Sequence, residues 1–508
     1  MADATALVRP LALSVAVRAG LSTAKLLGEK ELMRIMMERR RFLKGVAQAA
    51  MAAPVLASLE SAGLAQEGKP ARAHARGVQV TSAPKGPKIS LNVRDLGAAG
   101  DGKTDDTLAL QQTIDRCSVL GGGEVVVPAG DFLTGALVLR SNVMLQVEQG
   151  AKLLGVAEMK AYPLTQVRWE GKWIKGYSAL ISAEDSDNIG IRGPGAIVGN
   201  PAIRGRVERA THLRLPALLE FTNCRNVSVE NCETSNGGMW SIHPTYCENV
   251  SFHNVVVKSG ADGIDVDSCR HVTIEGCDFS TSDDCISLKS GRGEEGCTIN
   301  RPTEDVRISN CTFKDAYFAC IGIGSETSAG IRNVHIDHCK CVGARTHGVY
   351  IKTQVGRGAF IEDIFVDDMD VSGCRQGFLR INTLNSGKHD EFQVPGNAGV
   401  PTVRNFRFTN IRVQDEAVLV QATEIDPNKP LVGFTLENVT GTCEKGIYLA
   451  NVKGAVIRNV NVSGYAGALL NVRNVTGTGL GRAAQLPADQ MPRAVEPVAA
   501  PETPYKLH

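Results

Sequence analysis

The chain has 508 residues, carries 55 Lys and Arg against 54 Asp and Glu, and is 43% hydrophobic. A charge balance this close to zero gives no support to a nucleic-acid partner, while the length allows a large core. With aromatics at only 5% and 53 glycines, the composition suits short strands joined by many turns.

Near the N-terminus "RRRFLKG" (Arg39 to Gly45) precedes "VAQAAMAAPVLA", an apolar run too short and too alanine-rich for a stable membrane span. This resembles a twin-arginine export signal, with Met37 just ahead of it and cleavage expected near Ala57 or Ala65. Residues 1–65 are therefore expected to be an extension plus signal peptide, and the mature chain to be periplasmic or extracellular with no stable membrane insertion. An uncleaved N-terminal anchor is the alternative. Residues 66–88, rich in Ala, Gly, Pro and Lys, read as a linker. After "GAAGDGKTDD", Leu110, Ile114 and Cys117 fall at i, i+4, i+7, which predicts a helix over Thr107–Cys117 with Asp105 or Asp106 as N-cap.

The middle of the chain repeats. "NVSVENC" at Asn226, "NVSFHNV" at Asn249, "HVTIEGC" at His271, "DVRISNC" at Asp305, "NVHIDHC" at Asn333 and "DIFVDDM" at Asp363 start 22 to 34 residues apart. Each alternates as a strand does, and each is followed about 16 residues later by a second strand: "SIHPT", "IDVDS", "ISLKS", "IGIGS", "VYIKT" and "LRINT". Such a period, with no helical spacing inside it, predicts an all-β solenoid, a single-stranded parallel β-helix over residues 89–480 whose open end the Thr107–Cys117 helix caps. The Pro/Ala-rich residues 481–508 are expected to be a loose tail. The 14 cysteines mostly fall on the repeat: Cys232, Cys277, Cys311 and Cys339 in one column, Cys224, Cys247 and Cys269 in another. They read as small buried side chains rather than bridges or zinc ligands, since no C-x-x-C pair exists.

Stacking the second strand register puts Val266, Leu288, Ile323, Ile351 and Ile381 in one inward column, and hence Asp262, Asp284, Ala319, His347 and Gly377 in another. Asp262 and Asp284 would then lie one coil apart, roughly 4.8 Å at the backbone, with Asp283 alongside. Three converging carboxylates cannot all ionise without cost, so one should hold a proton near neutrality. That suits glycosidic hydrolysis, in which one carboxylic acid protonates the leaving oxygen and a carboxylate activates water. A stack of turn aspartates capping backbone N–H groups is the bland alternative. Asp265 and Asp267 alternate outward; a solvated face is the expectation for them, a hard cation such as calcium the alternative.

"GADGIDVDSC", "STSDDCISLKSG", "IGIGSE" and "GVYIKT", with "RWEG" at Arg168, "GPGAIVGN" at Gly193 and "WSIHP" at Trp240, resemble the polygalacturonase-like enzymes of glycoside hydrolase family 28 over roughly residues 89–475. The resemblance implies a right-handed parallel β-helix that hydrolyses pectic backbones with inversion, with Asp283 as general acid, Asp262 and Asp284 activating water, and neither metal nor other cofactor. The chain departs from the family pattern in several places. Gly260 and Ala261 stand where Asn-Thr is usual, Ser282 replaces a glycine, the family histidine falls on Ala319, and the arginine of its Arg-Ile-Lys motif falls on Tyr350, leaving Lys352. His347 and Arg380 occupy those two columns one coil later and are candidate replacements in the substrate-binding set, with Lys289, Lys352 and Tyr350; His243 is a further candidate cleft residue. The expected partner is a pectic poly- or oligosaccharide, bound by a monomer. A calcium-dependent polysaccharide lyase and a noncatalytic carbohydrate-binding solenoid are the competing readings.

Overall fold

A computed structural model describes residues 89–500 and Tyr505; the twin-arginine-type segment and the linker, residues 1–88, lie outside the described residues. From Ile89 onward the chain winds into coils of short strands that pair in parallel with the coil before and the coil after. The result is a parallel β-helix with one continuous core through the coils and a smaller apolar cluster around Trp240, and among the described residues the only antiparallel sheet is the hairpin Leu164–Trp169 with Lys172–Tyr177.

The strand sheet that matters for the site runs through β1 (Leu219–Thr222), β2 (Ile242–Thr245), β3 (Ile264–Asp267), β4 (Ile286–Lys289), β5 (Ile321–Ile323), β6 (His347–Lys352) and β7 (Gly377–Asn382). Its register agrees with the sequence reading: Val266 pairs with Leu288, Leu288 with Ile323, Ile323 with Ile351, and Ile351 with Ile381. These side chains are buried in the core, so by the two-residue alternation the residues between them face outward.

The polar residue that opens each repeat has a conformational role. Asn226, Asn249, His271, Asp305, Asn333 and Asp363 all have φ between 52° and 57°, the left-handed corner at which the coil turns into its next sheet. Asn and Asp tolerate this region because a short polar side chain can bond locally, whereas other residues with a Cβ lose about 1–2 kcal/mol there. Here the bonds run between coils: Asn226 Nδ2 donates to Asn188 Oδ1 at 2.8 Å and Asn249 Nδ2 to Asn226 Oδ1 at 3.0 Å.

All fourteen cysteines are free, and all but Cys297 are buried. In the column Cys224, Cys247, Cys269 each of the last two thiols accepts a backbone N–H from the coil before it, at 3.4 and 3.2 Å. Burial pushes the Cys247 thiol well above its ordinary pKa, so it stays protonated and inert.

The helix α1 (Thr107–Val119) buries Leu110, Thr113, Ile114 and Cys117 over the first coils. Its Gln111 amide donates to the Val138 carbonyl at 3.0 Å and accepts from the Val138 N–H at 2.8 Å, so a side chain satisfies backbone groups that an uncapped strand edge would expose. Asp106 is the N-cap residue, but its carboxylate accepts from the Ala99 and Gly100 N–H groups; Asp105 instead receives the Thr107 N–H at 3.0 Å. Toward the C-terminus, strand pairing continues to Ala484–Gln485, beyond the expected end of the coils. The following segment differs from the loose tail expected: Val495 N–H donates to Asp426 and the Val498 carbonyl accepts from Gly396 N–H at 2.7 Å. None of the described helices is long and apolar enough to cross a membrane.

Because the corner strain is carried by Asn249, Asn249→Val should cost about 1–2 kcal/mol more than Asn249→Gly despite the loss of the same amide bond in both. Paired thermal or urea denaturation of the two variants checks this; equal stabilities would show the corner conformation to be unimportant.

Candidate active site

Asp262 sits in the turn entering β3, and Asp283 and Asp284 in the turn entering β4. The Gly263 N–H bonds the Asp284 carbonyl and the Cys285 N–H the Ala319 carbonyl, so the turns stack in the same register as the strands. One oxygen from each of the three carboxylates lies within 4.8 Å of the others. Room for Asp284 depends on Gly322 in the next coil, where a Cβ would stand 2.5 Å from Asp284 Oδ2.

Each carboxylate is held by a different set of partners. Asp284 Oδ1 accepts the Ala319 N–H at 3.0 Å, and its Oδ2 meets Lys352 Nζ at 2.8 Å and Ser287 Oγ at 3.0 Å. The same Ser287 hydroxyl lies 3.3 Å from Asp262 Oδ2, so it ties the two carboxylates together. Lys289 Nζ lies 3.4 Å from Asp262 and 2.5 Å from Asp265. Asp283 is paired with Arg206, whose guanidinium is also 3.5 Å from Asp262.

The electrostatics divide the three. Burial, then the neighbouring Asp262 and Asp284 charges, push Asp283 up to about 6 despite Arg206. Burial acts in the same direction on Asp262, but Lys289 and Arg206 outweigh it and hold that carboxyl below its usual range. The site therefore contains one carboxyl poised to carry a proton and another held ionised beside it, the combination that acid/base hydrolysis uses.

Not every expected site residue reaches this centre. Lys289, a candidate for the substrate-binding set, has a side chain only 6% exposed, with Nζ 3.9 Å from the Trp240 ring centroid, and lies beneath the carboxylates. Asp265 and Asp267, expected to be solvated, are buried and paired with Lys289 and Arg168 respectively. His243 is buried under the cleft between Glu220 and Thr245. His347 does occupy the expected column, but two coils from Asp284 with Ala319 between them; burial, Arg380 and Lys352 push it down to about 3, leaving it neutral. Arg380 does pair in register with Tyr350, yet it is engaged by Glu424 at 2.7 Å. Tyr350 stacks on Phe318 at 5.8 Å, and Lys352 Nζ lies 4.4 Å from the Phe318 ring.

Sequence reasoning missed Arg206, Ser287 and the cover over the early coils. Ser287 was readable from the outward alternation between Ile286 and Leu288. Arg206 was not, because it lies in the irregular stretch 199–217 between repeats. The cover is built by the hairpin containing "RWEG" and by this same stretch: Arg168 reaches Asp267 at 3.0 Å and Glu295 at 2.6 Å, and Arg214 Nη2 reaches Glu220 Oε2 at 2.7 Å. The outward side chains of β2, His243 and Thr245, are consequently buried together with Arg214, while Glu220 on β1 is only partly covered. Toward β7 the same face is more exposed, the Arg380 side chain being 28% exposed.

The family model for glycosyl hydrolases family 28 matches residues 117–462. A probable polygalacturonase of Vitis vinifera is 28% identical over 367 residues, covering 69% of this chain and 74% of that relative. Among solved structures, an exopolygalacturonase from Thermotoga maritima is 28% identical with a TM-score of 0.67, covering 75% of this chain and 94% of its own. The family 28 exopolygalacturonase of Yersinia enterocolitica, at 20% identity and a TM-score of 0.68 over 77% of this chain and 78% of its own, shares the fold. With a match spanning most of the coils and both turns that carry the carboxylates, the chain belongs to family 28 of the glycosyl hydrolases and is a polygalacturonase-like glycoside hydrolase.

Proposed function

We propose that the protein hydrolyses glycosidic bonds of a pectic poly- or oligosaccharide, with Asp283 as general acid and Asp262 and Asp284 as the carboxylates that activate water. The observation carrying this reading is the division of protonation states within one cluster: Asp283 pushed up to about 6 beside Asp262 held low. Family membership supports the substrate class; relatives of both endo- and exo-acting description match, and the exopolygalacturonase structure at 28% identity supports attack from a chain end. So does the covered outward face of β2, set against the more exposed Arg380 on β7. Action outside the cytoplasm is part of the proposal and rests on the Arg39 to Gly45 motif and on the size of a polymeric substrate.

A three-oxygen cluster this tight could hold a cation, as a lyase would need. Hydrolysis is favoured because Arg206, Lys289 and Lys352 already oppose the charge of the cluster from three sides. A chelator should therefore leave turnover unchanged and no unsaturated product should absorb in the ultraviolet; loss of activity on chelation would favour the lyase.

Asp283→Asn should lower kcat by about 10²- to 10⁴-fold, the usual contribution of a general acid. Its Tm should stay level or rise, because the substitution removes a charge that its neighbours repel. In the unmodified enzyme the acid is loaded below a pKa of about 6, so kcat/KM should fall about tenfold per pH unit above that value. The acid limb, set by Asp262, should lie below the ordinary aspartate range because Lys289 and Arg206 outweigh its burial. A mutant of Asp283 with full activity rejects the acid assignment.

The 4.8 Å convergence is shorter than the ~6.5–9.5 Å usual for inverting carboxyl pairs and near the ~5–5.5 Å of retaining ones. Inversion is proposed nonetheless because the water side holds two carboxylates joined by Ser287, a seat for a nucleophilic water rather than a lone attacking carboxylate. Proton NMR of the first-formed sugar should show the anomer opposite to the cleaved linkage, released one end unit at a time; the same anomer would make one aspartate a nucleophile.

A further inference from the structure

We propose that Arg206 reads a substrate carboxylate beside the scissile bond, and that it leaves Asp283 to do so, so that occupying the cleft frees the acid to take up its proton. This deepens the hydrolytic reading above and rests on it for the identity of the acid.

Three cations contact the catalytic carboxylates, and they are not equivalent. Lys289 is buried beneath Asp262 and shared with Asp265, and Lys352 belongs to the rigid strand β6 and is fixed on Asp284. Arg206 comes from the irregular stretch 199–217. Its backbone is anchored, the Arg206 carbonyl accepting the Leu215 N–H at 3.0 Å and Val207 bridging to Arg214, but its side chain is 36% exposed against 6% for Lys289 and 12% for Lys352. Among the described residues it is the one arginine that forms an ion pair with any of the three aspartates.

Its position is informative because it opposes the task of Asp283. An arginine on a carboxylate favours the ionised form, yet a general acid must arrive protonated. The charged groups that face Asp283 are Asp262 and Asp284 in its own cluster, Lys352 from β6, and Arg206 across the cleft. Three of these are held by the coil; Arg206 is the one whose exposure lets it move. A planar guanidinium that gives up one carboxylate is matched by another, and a uronate supplies it through the same forked hydrogen bonds. The family arginine column cannot fill this role here, since it holds Tyr350, and Arg380 one coil on is engaged by Glu424.

Kinetics of Arg206→Gln and Arg206→Lys on trigalacturonate and on its fully methyl-esterified counterpart test the proposal. Arg206→Gln should raise KM for the acid about tenfold or more and leave the ester within twofold, with Arg206→Lys between. In addition the alkaline limb of kcat/KM, which reports the free enzyme, should move up by about half a pH unit or more, while the limb of kcat, which reports the complex, stays in place. An equal effect on acid and ester, or parallel movement of both limbs, overturns the proposal. Calorimetric binding of trigalacturonate to Asp284→Asn, with and without Arg206→Gln, reads the carboxylate contact without relying on the acid assignment. Unchanged affinity there overturns the contact whatever Asp283→Asn does.

Discussion

In-register hydrogen bonding between successive coils is the constraint from which the rest of this structure follows. Each residue stands above its counterpart one coil away, at the ~4.8 Å spacing of neighbouring strands. A column of like residues is then either a shared benefit or a shared problem. Aliphatic columns fill the core, thiol columns satisfy backbone N–H groups without needing bridges, and amide columns at left-handed corners bond to one another. The same spacing that makes these ladders favourable brings Asp262 and Asp284 together, where it is unfavourable unless something neutralises them.

The neutralisation is distributed. Lys289 answers Asp262 from below, Lys352 answers Asp284 from a strand two coils away, and Ser287 links the pair. Asp283, off the column and 26% exposed at its side chain, is ion-paired by neither lysine and bears the repulsion of both neighbours. In the mechanism proposed, function on this scaffold arises from an imbalance in compensation. Two carboxylates have fixed cations, and the third has a cation that can leave.

Much of this was legible from the residues alone. The coil register, the capping helix and the carboxylate column all come from local alternation and from repeat spacing, because a solenoid turns sequence distance into spatial adjacency by a fixed rule. The columns of His347 and Arg380 were read correctly in the same way, but their engagement was not: one is neutral behind Ala319 and the other is held by Glu424. Asp265 and Asp267 were misjudged for a related reason. Outward alternation marks a residue as facing away from the core, and whether a loop then covers it is decided elsewhere in the chain.

Repetition in the sequence by itself determined the solenoid, its register and the meeting of three aspartates, since each depends only on nearest-neighbour coils. The tertiary structure alone decided which groups are wet, which cations are fixed and where the cleft is closed. Those properties come from the hairpin 164–177 and the stretch 199–217, aperiodic segments whose contacts with Asp267 and Asp283 span tens of residues and with Glu220 only six, none of them following the period. A periodic pattern carries no information about where an aperiodic loop will fold back, and it is there that the positions of Arg168, Arg206 and Arg214 were set.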